Sequence, residues 1–321
     1  MTSKSGELYR KFASGVVVIR AQDANWNADF SGWPRKLPDG RFYSTDKALK
    51  YAIRKYLKEV KNQSILFWRV YNENGDVGNL PAMLEKNGIK FDVEQQVLVK
   101  NVLQKGTDVR FFGGTFTLKD HNFSITGPIQ ITYGVDVYGK GTAYVSQIQS
   151  PKSESKKRTE ESKVGYEPQS TLGSEVRVTE AHYAFDFTIN PNNLEKDDYI
   201  ELIKDKQDNA VLLSKNDVEM FKDALKFAPN YITSTTKAGV FTELVIFAEF
   251  EMTGDKVPLV PILRDGIKIG KTDNSLKRKI DISQTLRILK KLGAQTIELF
   301  YNKDLCDVEY ESDKSINVLE I

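Results

Sequence analysis

The sequence predicts an α+β fold with an antiparallel sheet, because a β-α-β pattern occurs once in each half of the chain. The first pattern opens with a strand at residues 15–21, which is almost continuously apolar and is therefore expected to be covered on both faces. After a long polar loop comes an amphipathic helix, capped at Ser44 or Thr45. Its predicted apolar stripe consists of Leu49, Ile53, Tyr56 or Leu57, and Val60. An apolar run at residues 64–70 completes the pattern as a second strand.

The second pattern begins with a strand at residues 178–189, in which Tyr183, Phe185 and Phe187 alternate with smaller or polar residues. A capping-box-like start near Ser214 predicts a helix to about residue 227, and a strong strand follows at residues 241–250. Two such units predict a split β-α-β, ferredoxin-like core. Further predicted elements are a strand at residues 257–263, a helix at residues 283–292 and a strand at residues 296–301.

The two units are separated by segments of different character. Residues 80–105 predict two short helices that end at Gly88 and Gly106. A strand pair is expected around residues 123–133, and residues 145–177 are rich in Ser, Lys and Glu, which is typical of a loop or extended hairpin without its own core. The predicted boundaries are residues 1–71 for the first β-α-β unit, 72–106 for a helical insertion, 107–144 for further strands, 145–177 for the loop or hairpin, and 178–321 for the second unit and C-terminal elements.

Composition excludes several classes of protein. Cys306 is the only cysteine, so an internal disulfide and a cysteine-based zinc site are excluded. With only two histidines, His121 and His182, there is little basis for histidine metal chemistry, and both are interpreted as structural. No secretory signal or membrane span is visible, which predicts a cytoplasmic protein. Phosphate-binding and hydrolase motifs are also missing.

The charge of the chain is concentrated at one end. Residues 1–60 hold 12 basic and 6 acidic residues, a net charge of +6, whereas the whole chain carries only +2. The loop before the first helix combines Arg35, Lys36 and Arg41 with four aromatic residues. These are Trp26, Trp33, Phe42 and Tyr43. Cations beside aromatic rings favour single-stranded nucleic acid, although a solvated helix face and rings that anchor the loop remain the alternative.

The same loop carries Asp23 and Asp29, which in principle could hold a metal ion and cleave phosphodiesters. No companion carboxylate cluster or histidine is visible, so turn capping or pairing with nearby basic residues is the simpler interpretation.

Several short motifs occur in order along the chain. They are Asn25-Trp26-Asn27-Ala28-Asp29-Phe30, Pro34-Arg35 with Gly40, Thr45-Asp46 before the basic helix, Asp108-Val109-Arg110-Phe111-Phe112-Gly113, and Gly127-Pro128-Ile129-Gln130. As an ordered set they resemble the backbone subunits of CRISPR Cascade complexes, whose loop reads Asn-Pro-Asn-Gly-Asp-Pro and whose later motifs read Asp-x-Arg-x-Phe-Gly and Gly-Pro-(Val/Ile)-Gln. The prolines and glycine of the family's loop are absent here. The resemblance covers about residues 15–250 and is greatest to the type I-B branch.

The resemblance implies a modified RRM-like palm, helical fingers at residues 72–106 and a protruding thumb hairpin at residues 145–177. Several copies would line up along one CRISPR RNA in the prokaryotic cytoplasm, beside other Cascade subunits and close to the target DNA. The family contacts the sugar–phosphate backbone and leaves base edges free. The type I branch is not enzymatic, and no cofactor or metal is expected.

The predicted RNA-binding residues, from the loop composition and the resemblance together, lie in the loop, the basic helix, the later motifs and the thumb. They are Asn25, Trp26, Asn27, Arg35, Lys36, Arg41, Lys47, Lys50, Arg54, Arg110, Gln130, Lys152, Lys156, Lys157 and Arg158. Two alternatives remain open. One is a metal-dependent ribonuclease of the type III kind that uses Asp23 or Asp29, and the other is a stand-alone RRM-like binder of single-stranded RNA.

Overall fold

The computed structural model describes residues 6–150, 171–197, 211–252, 258, 260–272, 277–312 and 315–320. The strands are β1 (Phe12–Ala24), β2 (Tyr43–Ser44), β3 (Gly113–Thr117), β4 (Asn122–Thr126), β5 (Ile129–Ile131), β6 (Gly134–Asp136), β7 (Ala143–Ser150), β8 (Thr171–Ile189), β9 (Val240–Phe250), β10 (Lys268–Lys271), β11 (Arg278–Asp281), β12 (Thr296–Tyr301), β13 (Cys306–Glu309) and β14 (Ile316–Glu320). The helices are α1 (Asp46–Glu59), α2 (Leu80–Lys86), α3 (Gln95–Lys105), α4 (Thr107–Phe112), α5 (Asn192–Glu195), α6 (Lys215–Tyr231) and α7 (Ser283–Lys291).

Strand β1 is the centre of the main sheet. It pairs antiparallel with β8 on one side and with β9 on the other, so Val17 lies opposite both Phe185 and Val245. Within the described residues the strand order is β14-β12-β9-β1-β8-β6-β2, and β5 and β7 also pair with β8. The apolar residues of β1 are buried on both faces of the sheet, as the sequence predicts.

The second β-α-β unit forms as predicted: β8, α6 and β9 follow in this order, with the short helix α5 between β8 and α6, and β1 lies between the two strands in the sheet. Helix α6 begins with a complete capping box, in which the Ser214 and Asp217 side chains each accept a hydrogen bond from the other residue's backbone N–H. It continues to Tyr231, past the predicted end.

The first unit is built differently from the prediction. Residues 64–70 do not form a strand. The backbone N–H groups of Leu66 and Phe67 instead donate to the two carboxylate oxygens of Asp108, at 2.7 and 3.1 Å. The strands that return to the sheet after α1 are β5 and β6, which pair antiparallel with β8. The helical insertion therefore interrupts the first β-α-β unit before its second strand.

Helices α1 and α6 pack on one face of the sheet. The Thr45 side chain caps α1 by accepting from the N–H of Ala48, and Asp46 lies in the first turn. Leu49, Ile53, Tyr56 and Leu57 of the predicted stripe are buried. Val60 is 42% exposed because it is the C-cap residue, beyond the last turn of the helix. One apolar cluster joins these helices to β1, β8 and β9.

The C-terminal elements cover the other face of the sheet. Helix α7 and strand β12 form as predicted. Strand β12 extends the main sheet by pairing with β9, and α7 packs with the small sheet β10-β11-β13 against the face formed by β1, β9 and β12. The described part of the predicted strand at residues 257–263 forms no strand, and the rest lies outside the described residues. This covering explains why β1 is apolar at almost every position.

A third apolar cluster lies away from the main sheet. It joins α2, α3 and α4 to the two-stranded sheet β3-β4. The two strands expected as a pair around residues 123–133 do form, but they pair elsewhere: β4 with β3, and β5 with β8. The two helices expected within residues 80–105 form as α2 and α3.

Strands β7 and β8 extend from the sheet as an antiparallel hairpin in which Ala143 lies opposite Val178 and Ser150 opposite Thr171. Residues 151–170 lie outside the described residues, and with them the predicted RNA contacts Lys152, Lys156, Lys157 and Arg158. In the described part of the chain, no helix has the length and apolar character of a membrane span.

Candidate nucleic-acid interface

The outer face of α1 carries a basic stripe, defined here as Lys47, Lys50, Arg54 and Lys58. These residues recur at helical spacing and therefore lie along one side of the helix. Lys47 and Lys58 are exposed, and neither forms an ion pair within the described residues. Both ammonium groups are therefore available to a phosphate.

The other basic residues of α1 already have partners. Lys50 pairs with Asp46 at 3.1 Å and lies over the Phe112 ring. Lys55 pairs with Glu59 at 2.6 Å. Surface pairs one helical turn apart stabilise a helix by only about 0.3–0.5 kcal/mol, so a phosphate can compete for Lys50.

Arg54 differs from the rest of the stripe. Its Nε donates to Asp108 at 2.9 Å, and Asp108 is fully buried. Its guanidinium also lies near the Phe67 and Phe112 rings, 6.0 and 5.4 Å from their centroids. Arg54 therefore connects α1 to the segment around residue 66 and is not a free cation.

Three of the residues predicted to bind RNA, Asn25, Trp26 and Asn27, instead anchor the start of the loop before α1. Asn25 is buried and donates to the carbonyl oxygens of Gly32 and Val176. The Trp26 ring is also buried. Asn27 accepts from the N–H of Thr45 at 2.9 Å, which ties the loop to the first turn of α1. These side chains give the loop its shape.

Lys237 is a second anchor of this loop. Its ammonium group donates to the backbone oxygens of Asn25 and Trp26, each at 2.6 Å. Burial lowers the pKa of Lys237 to about 8. Sequence reasoning missed this residue, because its role depends on a contact between segments more than 200 positions apart.

The outer part of the loop carries the accessible cations. Lys36 is exposed and lies 5.0 Å from the centroid of the buried Phe42 ring, and Arg41 forms an exposed pair with Asp39 at 2.8 Å. Arg35 is half-buried, and its Nε has no hydrogen-bond partner among the described residues. Of the predicted aromatic residues, Trp33 is exposed at 44%, whereas Trp26 and Phe42 are buried.

Both loop aspartates accept hydrogen bonds from other groups of the protein. Asp29 accepts hydrogen bonds from the backbone of Ser31 and Trp33 and from the Ser31 hydroxyl, which lowers the pKa of the Asp29 carboxyl. This is the turn-capping role expected from the sequence. Asp23 accepts from the Tyr144 hydroxyl at 3.2 Å. Among the residues that the structure describes, no cluster of His, Cys, Asp and Glu could hold a metal ion.

Arg110, in the Asp-x-Arg-x-Phe-Gly motif, lies away from α1. It forms a bidentate pair with Asp217, the third residue of α6, at 3.0 and 2.8 Å, and also donates to the carbonyl of Leu103. This arrangement fixes the helical insertion to the start of α6. Arg110 therefore shapes the molecule and presents no free guanidinium.

Gly113 and Gly127, the glycines of the two later motifs, lie in close backbone contact. Gly113 has a φ of +74°, and a Cβ there would collide with the backbone oxygen of Ile125. A Cβ on Gly127 would collide with the backbone of Phe112 and Gly113. Gln130 is exposed, and its amide donates to the Gly127 carbonyl at 2.8 Å. These motifs therefore fix the corner between β3 and β5.

A surface cleft of about 660 Å³ lies at the C-terminal end of α1 and was not recognised in the sequence. It is lined by Lys58, Asn62, Gln63, Ser64, Ile65, Trp68, Arg69, Val70, Tyr71, Lys86 and Asn87. Trp68, Arg69 and Tyr71 combine aromatic and basic side chains and could have indicated the cleft. They were overlooked because residues 64–70 were interpreted as a strand.

Comparison with known proteins agrees with this description. The model of the family "CRISPR-associated protein Cas7" matches residues 11–287, which is most of the chain. A solved chain described as "CRISPR RNA-guided surveillance complex, pre-nicking" aligns over 94% of this chain and 96% of its own, with a TM-score of 0.53 and 12% identity. A second, described as "CRISPR RNA-guided surveillance complex", has a TM-score of 0.48 and 14% identity over 95% of each chain.

No curated protein sequence matches the chain. The fold likeness to the first structure confirms the predicted α+β class, with a largely antiparallel palm sheet and helical insertions. The family model covers far more than half of the chain and spans β1, the basic stripe, the motif residues and α6. The chain belongs to the CRISPR-associated protein Cas7 family.

Proposed function

We propose that this chain is a CRISPR RNA-binding, self-assembling backbone subunit of a Cascade-type surveillance complex, which presents guide RNA for pairing with target DNA. The observation that carries the proposal is the match of the Cas7 family model over residues 11–287. The solved chain with the similar fold belongs to an RNA-guided surveillance complex, which supports the same function.

The RNA backbone is proposed to run along α1 and the outer loop. Lys36, Lys47 and Lys50 supply ammonium groups, and Arg35 and Arg41 add guanidinium groups, so these contacts recognise phosphates and not base identity. Asn25, Trp26, Asn27, Arg54 and Arg110 hold these elements in place through the contacts described above. Gln130 remains a predicted contact, as do Lys152, Lys156, Lys157 and Arg158 of the thumb.

Assembly follows from the same proposal. Further copies of this chain would bind successive stretches of one RNA, the hairpin β7–β8 would reach over the RNA as the thumb, and other Cascade subunits would complete the complex. Target DNA would meet the guide through its free base edges. Assignment to the type I-B branch and to the prokaryotic cytoplasm remains a prediction.

The subunit is proposed to bind RNA without cleaving it. The observation in favour is that Oδ1 of Asp29 accepts the hydrogen bonds of the turn at residues 29–33, and that Oδ1 of Asp23 accepts from the Tyr144 hydroxyl. A ribonuclease of the type III kind would need one of these carboxylates for a metal ion or an attacking water.

Native mass spectrometry of the purified protein with RNAs of increasing length tests the proposal. We expect the number of protein copies to rise in steps with RNA length and the RNA to stay intact after incubation with Mg²⁺. A single copy on every RNA would contradict self-assembly and leave a stand-alone binder. RNA shortened by the wild type but not by Asp23→Ala or Asp29→Ala would contradict the non-enzymatic assignment.

A further inference from the structure

The cleft at the C-terminal end of α1 is strongly basic. Lys58, Arg69 and Lys86 line it and are all exposed, and no carboxylate belongs to its lining. None of the three forms an ion pair with the described residues. Three uncompensated cations around one concave surface produce a positive potential that attracts anions.

The cleft also offers aromatic and amide groups. Trp68 lines it and stacks on Tyr51 of α1, with ring centroids 5.4 Å apart and an interplanar angle of 11°. Tyr71 is exposed at the rim. Asn62 makes no hydrogen bond through its side chain among the described residues, so its amide is free to recognise a base edge. The volume of the cleft lies in the range of small-ligand sites, roughly 300–1,000 Å³.

The position of the cleft connects it to the basic stripe. Lys58 belongs to both, and Lys47 lies 11 residues earlier on the same helix, about 16 Å away along the axis at ~1.5 Å per residue. A nucleic-acid strand that runs along the basic stripe from the loop to the C-terminal end of α1 therefore reaches the cleft. Cations combined with an aromatic platform are how proteins hold single strands.

We propose that this cleft binds an unpaired nucleotide segment of single-stranded nucleic acid, with a base against Trp68 and the flanking phosphates on Lys58, Arg69 and Lys86. The inference rests on the proposed function, because it extends the surface assigned there to RNA. The shared chemistry is an unpaired base with its phosphates, which either single-stranded RNA or single-stranded DNA can supply.

Fluorescence anisotropy with labelled single-stranded RNA and DNA of equal sequence tests the proposal on the full chain. The variant Arg69→Ala/Lys86→Ala removes two exposed cations that hold no structural partner. Its matched control is Arg287→Ala/Lys291→Ala, which removes one arginine and one lysine from the exposed side of α7 on the opposite face of the sheet. We expect the cleft variant to lower the salt slope by about 1.4, since each lost single-strand phosphate contact removes about 0.7. The control should leave the slope unchanged.

Photo-crosslinking with thio-substituted oligonucleotides gives an independent readout that needs no variant. Trypsin cleaves after Lys61 and Arg69, so a crosslink to Trp68 appears on the peptide of residues 62–69. We expect this peptide among the crosslinked products. In the variant Trp68→Ala, loss of stacking should weaken binding at least fivefold, from the roughly 1–3 kcal/mol per stacked base.

The outcomes separate this inference from the function on which it rests. If wild-type protein binds neither RNA nor DNA, the proposed function fails as well. If Lys36→Ala/Lys47→Ala weakens RNA binding but the cleft variant equals its control and the peptide is not crosslinked, the cleft inference alone is overturned. An effect of the cleft variant on RNA identifies RNA as the occupant, and an effect on DNA alone identifies a DNA strand.

Discussion

Two groups of basic residues in this chain differ in what surrounds them. Arg54 and Arg110 lie near or within the recognisable motifs, and each is held by a carboxylate that is buried or nearly so, Asp108 or Asp217. Lys36 and Lys47 are exposed and form no ion pair within the described residues. The motif arginines therefore stabilise the fold, whereas the exposed lysines are the groups that can bind a phosphate.

Of the two motif arginines, Arg110 should show the larger loss of unfolding free energy when it is replaced by alanine. Arg110→Ala leaves the Asp217 carboxylate buried without its bidentate partner, which typically costs about 3–5 kcal/mol of unfolding free energy. Urea denaturation followed by circular dichroism measures the loss. Lys47→Ala is the control and should change the unfolding free energy by less than about 0.5 kcal/mol. Equal effects of the two substitutions would remove the distinction between the groups.

A pH series tests a second buried ion network, on the face covered by the C-terminal elements. His182 is fully buried; burial opposes its charge, but Glu243 at 2.6 Å and Glu180 at 3.0 Å raise the pKa of the imidazole to about 9. Arg20 and Arg278 hold Glu180 from the other sides. Together these contacts lower the pKa of Glu180 to about 2, so that carboxylate stays charged through the neutral range.

A raised folded-state pKa means that the folded protein binds the proton more tightly than the unfolded chain. The stabilisation is complete below the unfolded pKa of about 6.5 and is lost as the pH rises through about 9. We expect the unfolding free energy to fall by up to about 2 kcal/mol between pH 6.5 and 8. Above pH 8 the buried Lys237 loses its proton and opposes the decline. In His182→Gln this decline should disappear. A wild-type curve that stays flat over that window would contradict a charged His182.

Two glycines with similar φ angles differ in how closely their surroundings approach them. Gly113 and Gly139 have φ angles of +74° and +65°, but a Cβ on Gly113 would meet the Ile125 backbone, whereas a Cβ on Gly139 would meet open space. An alanine at either position is strained by the positive φ, and Gly113, whose ψ is −166°, lies in a region essentially restricted to glycine, at a cost of about 1–3 kcal/mol. Gly113→Ala should lose a further ~1–3 kcal/mol from overpacking. Thermal denaturation of both variants measures the difference, and equal losses would show that the motif glycine is not needed for close packing.

Local signals in the sequence predicted the longer helices, whereas α4 lies at the start of residues 107–144, where strands were expected. The cap at Thr45 with its apolar stripe, and the capping box at Ser214, specify α1 and α6 from neighbouring residues alone. The split β-α-β arrangement of the second unit followed from the same kind of pattern. Periodicity was sufficient wherever an element's own residues decide its structure.

Long-range contacts explain what the sequence could not predict. Residues 64–70 have the apolar pattern of a strand, yet Asp108 binds two of their N–H groups and β5 and β6 take the place in the sheet. Lys237 contacts the loop at Asn25 although it lies more than 200 residues later in the sequence. In the candidate site, the positive charge was visible, but which cations are free depends on carboxylates distant in sequence, as Arg54 and Arg110 show.

The salt dependence of RNA affinity shows whether the exposed lysines of the loop and α1 bind the phosphates of the RNA. Anisotropy titrations of wild type, Lys36→Ala/Lys47→Ala and the control Arg287→Ala/Lys291→Ala are compared over a range of salt concentrations. If the free lysines of the loop and α1 bind phosphates, the slope of log affinity against log salt falls by about 1.4 in the first variant, from about 0.7 per contact, and stays at the wild-type value in the control. A slope that is unchanged in the first variant, or that falls equally in both, would contradict phosphate binding by these lysines.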